Sequence, residues 1–100
     1  MQVRPRALAR LREQHDYYAL RGAGSFAQAR LEEFFGLLDT LRRHPYFGHR
    51  DARLSTPNAA IRRVVLQKSF AVLYYIDAPA QVITVLDYLD VRQATYRPEL

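Results

Sequence analysis

Between residues 61 and 89 the chain carries three strand-length apolar runs with almost no chain left to join them. Residues 61–67, 70–76 and 82–89 are rich in Val, Ile, Leu and Tyr, and only Lys68-Ser69 and residues 77–81 connect them. Parallel neighbours need a crossover of a dozen residues or more, so connections this short predict an antiparallel meander. Along the middle run Phe70, Val72, Tyr74 and Ile76 fall on one face, and Ala71, Leu73 and Tyr75 on the other. Both faces are apolar, so each asks for a cover.

The first 43 residues read differently. Pro5 suits the first position of a helix, with an extended piece around Val3 before it. Leu8, Leu11, His15 and Tyr18 then recur on one face, and Gly22 and Gly24 end the helix. Ser25 with Gln28 three places on has the form of a capping box for a second helix. Its stripe is Ala27, Leu31, Phe34, Leu38 and Leu41, widened by Phe35 and Leu37; Arg42 and Arg43 sit in the last turn and His44-Pro45 stops it. Residues 45–59 read as a surface loop. The expectation is a single α+β domain over residues 1–100: an N-terminal helical hairpin, with room for a short strand before it, packed on a C-terminal antiparallel sheet of three to four strands. One hairpin covers one sheet face, so the other is expected to need a partner.

Charge is excessive and unevenly spread. Fifteen Lys and Arg oppose ten Asp and Glu, for a formal net charge of +5. Residues 1–21 hold five arginines against Glu13 and Asp16, and residues 44–63 hold four against Asp51 alone, while the stretch between them balances. Two basic zones suit an acidic partner, nucleic acid or protein. With no cysteine, thiolate chemistry and disulfides are excluded. His15, His44 and His49 lack metal-ligand spacing, so neither metal nor cofactor is expected. No apolar stretch is long enough to span a bilayer, and the opening residues 1–6 carry charge with no apolar segment after them. A cytoplasmic protein without a signal peptide or membrane partner is expected.

Several short motifs occur in a telling order. Arg4-Pro5-Arg6-Ala7-Leu8 opens the first helix, Leu41-Arg42-Arg43-His44-Pro45-Tyr46-Phe47-Gly48 closes the second, and Ile61-Arg62-Arg63-Val64-Val65 precedes the aromatic run from Phe70. Together with the closing strand rhythm up to Arg92, they resemble the ParE/RelE toxins of bacterial type II toxin-antitoxin systems, also called plasmid stabilisation proteins. The resemblance covers nearly the whole chain. It implies a growth-inhibiting toxin neutralised by a cognate antitoxin, with DNA gyrase as the target in the ParE-like reading and no chemistry of its own. The RelE-like alternative is a metal-independent, ribosome-dependent mRNA endonuclease, and a third reading is a decayed toxin that only binds its antitoxin. Two departures bear on this choice: Asp90 stands where relatives place a histidine, and Lys68 is the only lysine.

For RNA cleavage a site must stabilise a phosphorane and shuttle protons. Arg62, Arg63, Lys68, Arg92 and Tyr96 are the residues that could do so, although neighbours on a strand point apart, so Arg62 and Arg63 cannot both join. The alternative is that these are solvated strand-edge charges. Arg62, Arg63, Tyr74, Tyr75, Tyr88 and Arg92 are the expected partner-binding residues, with core packing the competing explanation for the tyrosines. Asp87 and Asp90, three apart, fall on opposite faces of a regular strand. Whether the chain forms a homodimer or a toxin-antitoxin hetero-oligomer is left open.

Overall fold

The computed structural model describes residues 1–57 and 60–92. In chain order it runs β1 (Gln2–Val3), α1 (Pro5–Leu20), α2 (Gly24–Arg43), β2 (His49–Arg50), β3 (Ile61–Leu66), β4 (Phe70–Asp77) and β5 (Val82–Asp90). The fold is α+β, two helices packed on a mixed sheet of order β1-β5-β4-β3-β2. The meander β3-β4-β5 is antiparallel, and each edge gains a two-residue strand: β1 runs parallel to β5, and β2 antiparallel to β3. The sheet thus has five strands where three to four were expected. Two residues show no periodicity, so β2 is hidden in a stretch that reads as loop.

Helix ends follow local chemistry in one case and depart from it in the other. Gly22 takes φ +78°, and its N–H and that of Ala23 donate to Ala19 and Tyr18 carbonyls at 3.3 and 2.9 Å, closing α1 in a Schellman arrangement. The capping box expected at Ser25 does not form. The N-cap is Ala23, no side chain caps the helix, and Gln28 donates instead to Glu32 at 3.3 Å. α2 is held by packing rather than by its cap. On α1 the buried positions are Ala7 and Leu11, whereas Leu8 lies outside.

The main core lies between hairpin and sheet. Phe34, Leu37, Leu38 and Leu41 of α2 meet Val64, Phe70, Val72, Tyr74, Val85 and Tyr88. Tyr88 stacks on Phe70 at 5.6 Å and meets Phe34 edge-on at 5.7 Å. Phe35, expected to widen the apolar stripe, is exposed.

Two expectations are overturned here. The sheet face away from the hairpin is closed: Ile61, Ala71, Leu73, Leu86 and Leu89 form a second cluster in which Leu73 and Leu86 are 1% and 2% exposed, with Leu54, Tyr75 and Val91 packed against it. Among the described residues it offers no broad apolar surface to a partner. The last strand is also not regular, because the register between β4 and β5 shifts at Leu73/Tyr74. Val85 and Tyr88, three apart, therefore share the hairpin core, as Leu86 and Leu89 share the second cluster. Asp87 and Asp90 do not diverge: Asp87 pairs with Arg6 and Arg10 of α1, and Asp90 reaches Tyr18 of α1 through Arg92.

Candidate functional site

β3 has six residues, but β2 covers only Arg62 and Arg63. The Asp51 N–H donates to the Ile61 carbonyl at 2.7 Å, which fixes residues 61, 63 and 65 as those whose backbone faces the β2 side. Val65 lies beyond the end of β2, so among the described residues no strand pairs with its β2-side edge. The residue is 47% exposed. Beside it runs a groove of about 770 Å³ lined by Phe47, His49, Arg50, Arg53, Arg63 and Val65, among others.

A buried clamp makes the chain turn away at this point. The Tyr74 hydroxyl donates to the Pro45 carbonyl and accepts from the Gly48 N–H, both at 2.8 Å. Arg62 donates through Nε to the Gly48 carbonyl at 2.9 Å and through Nη2 to the Tyr46 carbonyl at 3.3 Å. Gly48 has to be glycine, because a Cβ there would lie 2.8 Å from Tyr74 Cε1 and 3.0 Å from the Arg63 carbonyl oxygen. Residues 45–48 are therefore anchored on both strands.

The groove is positive because its one aspartate serves the loop. The Asp51 carboxylate accepts the N–H groups of Arg53 and Leu54 at 3.0 and 3.3 Å, and Arg63 and Arg53 lie 3.8 and 3.9 Å from it. One buried carboxylate cannot balance Arg50, Arg53 and Arg63 together.

The residues expected to cleave RNA are not brought together. Arg62 pairs with Tyr74, and Asp90, two residues before Arg92, pairs with Phe70. The two positions are four residues apart on β4, roughly 13 Å at the rise of a strand. Arg63 faces the groove, and Lys68 sits in the β3–β4 turn with φ +60°. Arg92 is engaged by Asp90 at 2.9 and 2.6 Å and donates to the Tyr18 hydroxyl at 2.9 Å. Those hydrogen bonds hold the Asp90 carboxyl below its ordinary value and raise that of Arg92. Tyr96 lies outside the described residues.

The expected partner-binding set divides likewise. Arg63 lines the groove, Arg62 works in the clamp, and Arg92 is tied to Asp90. Tyr74 and Tyr88 are buried in the hairpin core and unavailable to a partner, while Tyr75 is half-buried on the opposite face. Burial pushes the Tyr88 hydroxyl up to about 12, which makes it a poor proton donor or acceptor at neutral pH. Phe47, Arg50, Arg53 and Val65 were not singled out from the sequence; the only signal toward them was the excess of arginine over Asp51 in residues 44–63. Among the described residues no cluster of three or more His, Asp or Glu could hold a metal ion, and no helix is long and apolar enough to cross a membrane.

The sequence matches no family model and no curated protein.

Proposed function

We propose that this chain is a ParE-like toxin of a type II toxin-antitoxin pair, acting in the cytoplasm by binding a cellular target, DNA gyrase, and neutralised by a cognate antitoxin. The observation that carries this reading is the uncovered, basic edge of β3. A strand edge that exposes backbone hydrogen-bonding groups beside apolar side chains is a template for an added strand, and the arginines around it select an acidic one. An extended acidic segment of the antitoxin would pair with Val65 and set its carboxylates against Arg50, Arg53 and Arg63. The dispersal of Arg62, Lys68 and Arg92, with Arg92 held by Asp90, argues against the RelE-like nuclease.

The test is induction of the gene in a bacterial host, followed by assays on purified components. Growth arrest with inhibited gyrase supercoiling, reversed by the short protein of the adjacent reading frame, is the expected result. Codon-specific cleavage of ribosome-bound message, lost in Arg92→Ala, would replace it with the nuclease reading. No growth arrest would leave a decayed toxin.

A further inference from the structure

The chain leaving α2 displays Tyr46 and Phe47 side by side, 66% and 56% exposed, the two most exposed aromatic rings among the described residues. Water-exposed rings on a slack loop fold back onto nearby apolar surface. Here that is prevented, because the backbone on both sides of the pair is bound: Pro45 and Gly48 to the Tyr74 hydroxyl, and Tyr46 and Gly48 to Arg62. The Arg62 guanidinium lies 5.2 Å from the Tyr46 ring centroid, over one face of the ring. A fixed aromatic pair already meets the ordering cost that a ligand would otherwise bear.

The surroundings indicate what kind of ligand. Arg42, Arg43 and His44 are exposed on one side of the pair, and His49, Arg50 and Arg53 on the other. The nearby carboxylates are few: Asp39 lies 3.6 Å from Arg42, and Asp51 is taken up within its own loop. Tyr46 borders a cleft of about 430 Å³ shared with Arg42, Pro45 and Ile76, and Phe47 borders the groove along β3. The rings thus stand as a ridge between two depressions, with cations on both flanks. Planar rings flanked by arginines suit unpaired bases strung on phosphates, since every base has a face to stack and every linkage a negative charge. In a duplex the base faces are covered by their neighbours, and an acidic peptide would use the cations and leave the rings idle.

We propose that the Tyr46-Phe47 ridge binds single-stranded nucleic acid, with bases stacked on the two rings and phosphates held by Arg42, Arg43, Arg50 and Arg53. The inference does not depend on the toxin reading.

Fluorescence anisotropy of the purified full chain with labelled twelve-nucleotide oligo(dT) and oligo(U), and with a duplex of equal length, tests it. The single strands should bind more tightly than the duplex. The double variant Tyr46→Ala/Phe47→Ala should weaken binding about tenfold or more, as lost base stacking requires, with thermal unfolding unchanged because both rings face solvent. Tyr46→Phe, which keeps the stacking face, should bind like the parent. Arg43→Ala should lower the salt slope by about 0.7, the value for one phosphate contact on a single strand. Equal binding by the ring-less variant, or equal affinity for the duplex, would reduce the effect to general attraction of a basic protein and overturn the proposal. So would a twelve-residue polyglutamate peptide binding with the same dependence on both rings, which would make the ridge a protein-docking surface.

Discussion

At the seam between α1 and β5, Arg6 and Arg10 lie 3.3 and 3.2 Å from Asp87, a fully buried carboxylate that also accepts the Tyr88 N–H at 2.8 Å. At the opposite edge of the sheet, Arg53 and Arg63 share Asp51, whose oxygens already serve its own loop, and Arg50 lines the same groove. Both regions are rich in arginine in sequence, yet the first uses its cations to fasten a helix to a strand and the second holds them beside a groove. What separates them is where the carboxylate lies. One set between helix and strand, facing two guanidinium groups at the seam, closes an internal site, whereas one that also caps its own loop beside three arginines leaves the local potential positive.

The contrast can be broken at either end. Asp87→Ala removes a fully buried carboxylate that faces both Arg6 and Arg10 at the helix–strand seam, so a loss of about 3 kcal/mol in urea unfolding is expected. Gly48→Ala forces a Cβ against Tyr74 and the Arg63 backbone and should cost about 2 kcal/mol while disturbing the groove. Tyr74→Phe removes the hydroxyl that joins Pro45 to Gly48 and should cost about 1 kcal/mol, read as a lower denaturation midpoint at unchanged slope. Arg53→Glu should move stability by less than about 0.5 kcal/mol, since the side chain is mostly exposed, yet it should abolish capture of an acidic partner in a pull-down.

A smaller effect sharpens the seam side. The Arg92 hydrogen bonds lower the Asp90 carboxyl, so the folded state releases this proton more readily than the unfolded chain, whose ordinary value is 3.8. The stabilisation is complete above that value and is lost as pH falls through the lower, folded one. Acid unfolding of Asp90→Asn should therefore differ from that of the parent above about pH 4 and converge with it toward stronger acid. A constant gap across the acid range would show that the ion pair adds nothing.

The helical hairpin and the meander could be read directly, because each rests on local repetition: the 3.6-residue stripe through Phe34, Leu38 and Leu41, and strand runs too close together for any pairing but antiparallel. The Pro45 and Gly48 spacing was visible too, although only the packed Tyr74 hydroxyl explains why it has to be kept. Non-periodic features were not legible. β2 is two residues long, the bulge opposite Leu73/Tyr74 leaves no mark in composition, and one inserted residue is enough to turn Tyr88 into the hairpin core.

The sequence by itself determined the two helices, the three long strands and their order, since helix and strand periods, prolines and short connections are written into neighbouring residues. Only the tertiary structure decided which arginines face a carboxylate and which line an open edge. That choice depends on contacts such as Arg6 to Asp87, 81 residues apart, and no local pattern in a charge count carries them.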